Sequence, residues 1–104
     1  MRTEIEIYMD FNKVEKLIEK LRQIATSMDK LSEDGMGASL TELRRNWKGD
    51  NANTFTAKGE AVKTGLDRTV ADIRNTADSL EKMAMRLRDA EIENIRIAGN
   101  SGSK

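Results

Sequence analysis

Residues 46–51 read Asn46-Trp47-Lys48-Gly49-Asp50-Asn51. Gly, Asp and Asn adopt turn conformations readily, and glycine takes a positive φ just past a helix end. This is the one strong turn signal in mid-chain. On both sides of it the apolar residues recur at helical spacing. Two helices joined here make an antiparallel hairpin.

Upstream, the apolar seam runs Val14, Leu17, Leu21, Ile24, Met28, Leu31, in alternating steps of three and four. Asp10 precedes it and is placed to accept a first-turn N–H as N-cap. Lys13, Glu15, Lys16, Glu19, Lys20 and Arg22 fill the other faces. The seam slips near residue 35. Continuing it would bring Gly35, Ala38, Glu42 and Arg45 inside, whereas the apolar residues are Met36, Leu40, Leu43 and Trp47. Two glycines, Gly35 and Gly37, sit at the slip, and each costs about 1 kcal/mol relative to Ala inside a helix. The spacing predicts a first helix over about 10–47, with a kink or short loop near 35.

Downstream, the seam runs Phe55, Gly59, Val62, Leu66, Thr69 or Val70, Ile73, Thr76 or Ala77, Leu80, Met83, Leu87. Asp50 or Asn51 is a suitable cap. The predicted helix covers 51 to about 93 and is roughly 60 Å long. Gly59 and Gly65 are either tolerated glycines or points of close helix approach, and Gly59 lies on the seam. Ile5 and Ile7, like Ile95 and Ile97, alternate with polar residues, a strand pattern. These ends read as a short β-ribbon with Glu6 facing Arg96, or as helix ends fraying into irregular chain. Gly99-Asn100-Ser101-Gly102-Ser103-Lys104 has the composition of a disordered tail.

Composition narrows the function. The 104 residues include 18 basic and 18 acidic side chains and no Cys, His or Pro. Without Cys there is no disulfide framework and no thiolate nucleophile; without His the commonest catalytic base and metal ligand is missing. Zero net charge argues against a nucleic-acid binder. No apolar run approaches the roughly 20 residues of a membrane-spanning helix. The opening MRTEIEIYMD carries acids where a Sec leader is basic and then apolar. The expectation is a cytoplasmic protein, or one made in the cytoplasm and exported by a route with no cleaved leader.

A lone two-helix hairpin has a thin core. Ordering a residue costs on the order of 1.5 kcal/mol, and a well-buried Leu or Ile returns only about 1.5–3 kcal/mol. Two hairpins packed together share an interior as a four-helix bundle. The sequence therefore predicts an all-α protein. Residues 1–98 form an antiparallel two-helix hairpin that dimerises into a four-helix bundle, through the seams named above, and 99–104 form the tail. Six Met residues suit such an adaptable interior.

No catalytic constellation is present. Charged pairs at helical spacing read as solvated faces, and Gly35-Met36-Gly37 lacks the further glycine and preceding strand of a phosphate loop. No enzyme activity, cofactor or metal site is expected. Trp47 is the only Trp and stands at the helix end, two residues before Gly49; the plain reading is a Trp that closes the hairpin.

With Trp47-Lys48-Gly49 in the central turn of a two-helix chain of about this length, the sequence resembles the Trp-X-Gly (WXG, ESAT-six-like) family of type VII secretion substrates. The resemblance covers the whole chain. It implies a helical-hairpin dimer, with itself or a related hairpin protein, exported folded through a membrane secretion ATPase. It also implies a composite export signal. The Trp-X-Gly turn of one protomer lies beside a Tyr-x-x-x-Asp/Glu motif near the C-terminus of the other. Here the only Tyr is Tyr8. The C-terminal region offers Met85-x-x-x-Asp89 and Leu87-x-x-x-Glu91, with an apolar residue in the Tyr position. The half-signal is then absent, degenerate or supplied by a partner. The resemblance leaves open a secreted dimer and a helical adaptor for a larger type VII effector. Apart from it, the residues also fit a cytoplasmic coiled-coil scaffold.

Overall fold

The computed structural model describes residues 2–102. α1 spans Glu4–Lys30, a π-helical segment spans Leu31–Gly37, α2 spans Ala38–Asn46 and α3 spans Asp50–Gly102. Two helical arms joined by a turn form the hairpin, and no strand occurs among the described residues. Two compact units are distinguished. One comprises the chain up to Leu21 together with the chain from Thr76; the other is Arg22–Asn75.

In the unit containing both termini, α1 starts at Glu4, well before the Asp10 cap read from the seam. The cause is a Thr3 N-cap at the start of Thr3-Glu4-Ile5-Glu6. Thr3 Oγ1 accepts the Glu6 N–H at 3.2 Å and lies 3.3 Å from Glu6 Oε1. Asp10 instead pairs with Arg2. The alternating isoleucines are helical, so neither a ribbon nor frayed ends form. Ile7 is buried and Ile95 half-buried, while Ile5 and Ile97 face solvent. Arg96 meets Glu4 at 3.7 Å rather than Glu6. Ile7, Ile18, Ala77 and Ile92 supply the buried apolar groups. The Arg88 guanidinium stands 4.5 Å from the centroid of the Phe11 ring.

α3 continues past the expected end near 93 to Gly102. The stretch read as a tail is therefore helical over 99–102, and Ser103 and Lys104 lie outside the described residues. Extending a formed helix fixes one residue per hydrogen bond, which costs far less than starting one. Buried Ile92 anchors the turns that precede the extension.

In the unit Arg22–Asn75, contact partners run in opposite directions along the two arms. Asp29 meets Arg74, Glu33 meets Lys63, and Arg44 meets Glu60. The expected kink near 35 is instead the π-helical segment Leu31–Gly37. The step from Leu31 to Met36 is five residues, and a π-turn absorbs one residue more than an α-turn without breaking the helix. Both glycines have work here. A Cβ at Gly35 would stand 3.3 Å from Leu31 Cδ1, and one at Gly37 would stand 3.2 Å from Lys63 Cε. Ser32, inside the segment, is fully buried.

Gly59 is a point of close approach. A Cβ there would lie 2.5 Å from Cδ2 of Leu40, itself buried. Gly65 is the opposite case, with nothing within 4 Å.

Candidate functional site

The turn comes first. The Trp47 N–H closes α2 on the Leu43 carbonyl at 2.8 Å, after which Trp47 turns extended, with φ −130° and ψ 119°. Gly49 has φ +114°, the only positive φ among the described residues. Its carbonyl accepts the Asn53 N–H at 2.9 Å. Gly49 therefore occupies the position before α3 that was read for Asp50 or Asn51. Asp50 opens the helix instead, where its charge suits the positive end of the helix dipole. Lys48 Nζ donates to the Arg44 carbonyl at 2.8 Å, satisfying an orphan acceptor at the end of α2.

Trp47 is not a buried closure of the hairpin. Its ring packs against Phe55 with centroids 5.8 Å apart and planes tilted by 53°. Both rings stay open to solvent, Trp47 at 44% and Phe55 at 54% exposure.

The second feature is an apolar face beside the hairpin seam. The buried positions are Ala25, Ser32, Leu40, Ala52, Thr56 and Val70 in one unit, and Ile7, Ile18, Ala77 and Ile92 in the other. Most are small. Of the seam read from spacing, the alternatives Val70 and Ala77 are among these buried positions, and most of the rest lie elsewhere. Val14, Leu17, Ile24, Leu31, Phe55, Val62, Leu80 and Leu87 are exposed. Leu21, Met28, Leu43, Leu66 and Ile73 are half-buried, and Leu40 is buried. The correction has a simple geometric form. Ile24 and Leu31 precede inward-facing Ala25 and Ser32 by one residue, a rotation of about 100° on the helix. Phe55, Val62 and Thr69 stand in the same relation to Thr56, Lys63 and Val70.

Within Arg22–Asn75 the two helices are antiparallel and both outer seams are rotated in the same sense. Equal rotations on antiparallel helices bring the two seams to the same side of the pair. That side carries Ile24, Leu31, Phe55 and Val62, with Met28 and Leu66 at its floor. The opposite edge is joined by ion pairs, Asp29 with Arg74 at 3.9 Å and Arg44 with Glu60. The unit holding the termini has its own exposed set, Val14, Leu17, Leu80, Met83 and Leu87.

A polar layer crosses the Arg22–Asn75 seam at the π-helical segment. The buried Ser32 hydroxyl donates to Asp67, and Lys63 Nζ lies 3.0 Å from Asp67 Oδ2 and 3.1 Å from Glu33 Oε1. The Ser32 hydrogen bond, and then that from Lys63, hold the Asp67 carboxyl below the usual aspartate range. The same carboxylate, and then Glu33, raise the Lys63 ammonium above the usual lysine range. Asp29, Glu33 and Asp67 converge, with ligand oxygens within 4.8 Å of one another. Lys63 and Arg74 supply positive charge at that spot.

The residues considered for a C-terminal export motif all lie on α3. Met85 and Leu87 are exposed on α3. Asp89 pairs with neighbouring Arg88 at 3.0 Å, and Glu91 pairs with Arg2 at 2.9 Å. Glu91 and Leu87 line a cavity of about 90 Å³ with Arg2, Ile7, Asp10 and Phe11. Sequence reasoning missed the Ser32–Asp67–Lys63 layer, although Ser32 is one residue from the seam and adjoins the slip.

No protein-family model, curated protein or solved structure matches the chain. No helix among the described residues is long and apolar enough to cross a membrane.

Proposed function

We propose that this chain is a non-enzymatic partner protein whose open apolar face is completed by a second helical hairpin in a four-helix bundle. The observation that carries the reading is the inversion of the apolar residues. Among the described residues eight apolar ones are buried, three of them alanines, while fifteen large apolar side chains are exposed. Contiguous apolar surface at helical spacing marks an interaction site. Alanines, Ser32 and Thr56 share the closing of the hairpin with a few larger residues, and many large apolar side chains remain for another molecule.

The biological setting we propose is type VII secretion, with the chain as a WXG-type substrate exported folded and secreted as a dimer. The support is Trp47-Lys48-Gly49 at the turn, with Gly49 at positive φ and Trp47 presented to solvent against Phe55. Its partners are itself or a related hairpin protein, and the secretion ATPase. The second reading is a targeting adaptor for a larger effector. It is favoured by the exposed Met85 and Leu87 standing where the family motif has Tyr.

Secretion of Trp47→Ala from a type VII-competent host tests the setting. The expected result is lost export with helical content retained, since Trp47 is outside the buried seam. Equal loss of both would leave Trp47 a structural residue and remove the secretion reading. Export that depends on co-expression of a larger effector would select the adaptor.

A further inference from the structure

We propose that the hairpin's partner is a second copy of this chain, docked antiparallel along α3 with the twofold axis at Gly65. This rests on the reading above that the open face receives a helical partner, and it adds which partner and where.

Lys58, Val62, Gly65, Thr69 and Asp72 follow one another along α3 in steps of four and three, and all five are exposed. They border the open face beside Phe55. The stripe is antisymmetric in charge about its centre. Lys58 lies seven residues before Gly65 and Asp72 seven after, about 10 Å each way along the helix. Lys58 and Asp72 make no ion pair or hydrogen bond among the described residues, unlike Lys63 and Asp67 between them. Gly65 has open space around it: a Cβ would meet nothing within 4 Å. The intrachain reason that applies to Gly59 is therefore missing at Gly65, although glycine in a helix costs about 1 kcal/mol relative to alanine.

An isologous interface requires each copy to complement itself. A twofold axis at Gly65 sets Lys58 of one copy against Asp72 of the other, and the reverse pair follows by symmetry. Val62 falls beside the other copy's Thr69, and the missing side chain at the axis allows close backbone approach. Phe55 and Val62 then supply apolar contact while the two charge pairs fix direction and register. A stripe of single sign would instead have called for a partner of different sequence.

Sedimentation equilibrium of the full chain is the test. The wild type is expected to dimerise at micromolar concentration. Lys58→Glu and Asp72→Lys are each expected to weaken the dimer about tenfold or more by setting like charges face to face. The double variant K58E/D72K is expected to recover wild-type affinity. Gly65→Leu is expected to abolish the dimer while leaving helical content unchanged, because the isolated hairpin has room for the side chain. Dimerisation indifferent to these changes would overturn this interface and leave the bundle reading standing. A chain monomeric alone but bound by an unlike hairpin through Phe55 and Val62 would overturn the second copy as partner and keep the functional reading. A monomer that binds neither would defeat both.

Discussion

Gly59 lies directly against Leu40: a Cβ at residue 59 would stand 2.5 Å from Leu40 Cδ2. Ordinarily Gly→Ala inside a helix stabilises by about 1 kcal/mol. Here the added methyl displaces a buried leucine, and overpacking costs typically about 1–3 kcal/mol. The clash outweighs the propensity gain. Gly59→Ala is expected to lower the thermal midpoint, and Gly59→Leu to lower it further. Circular-dichroism melts of both variants check this, and a raised midpoint for Gly59→Ala would show that Leu40 moves aside freely.

Gly49 is constrained by conformation and not by space. Its φ of +114° is one that side chains rarely adopt, yet nothing lies within 4 Å of a Cβ there. Gly49→Val is expected to destabilise the hairpin by at least about 1–3 kcal/mol of backbone strain. Helical content at low temperature should persist, since α2 and α3 do not depend on that side chain. Urea unfolding monitored through the single Trp is suited to the measurement. An unchanged midpoint would mean that the turn relaxes to a negative φ.

The Ser32–Asp67–Lys63 layer sets a pH dependence with two limbs. Asp67 titrates below its ordinary range, so its stabilisation is complete above that range and is lost as acid carries the pH down through the depressed value. Lys63 titrates above its ordinary range, so its share is complete below that range and fades as alkali carries the pH up through the raised value. Between the limbs this layer contributes a flat profile. Asp67→Asn is expected to flatten the acid limb and Lys63→Met the alkaline one. Thermal midpoints across pH for the two variants and the wild type test this, and parallel curves would remove the layer as the cause.

Much of the fold was legible in the sequence, because periodicity reports which residues can share a helix face and the Trp47-Lys48-Gly49 region reports the turn. The facing of α1 was not legible, whereas on α3 the seam alternatives Val70 and Ala77 are among the buried residues. The most regular apolar seam, with Leu17, Ile24 and Leu31, was read as the closing seam, yet the arms close on Ile18, Ala25 and Ser32, one residue later. Small residues allow the closest backbone approach, and a hydropathy pattern gives Ser32 and Ala25 little weight. The slip near residue 35 was visible, but a count of five residues does not distinguish a loop from a π-turn. The early start of α1 was encoded in Thr3, an N-cap overshadowed by alternating isoleucines. At the turn, the position of Trp47 was readable. Its contact with Phe55 depends on the extended backbone at Trp47 and on the entry angle of α3.

The rotation between the closing seam and the outer seam separates two tasks that most small helical proteins assign to the same side chains. Ala25, Ser32, Leu40 and Gly59 hold the hairpin shut, whereas Ile24, Leu31, Phe55 and Val62 point away from that work. Changes on the outer set therefore leave the chain's own closure almost untouched. A duplicated copy of such a hairpin could drift in its choice of companion without first losing its shape, and a lineage of these proteins could diversify its pairings one exposed residue at a time.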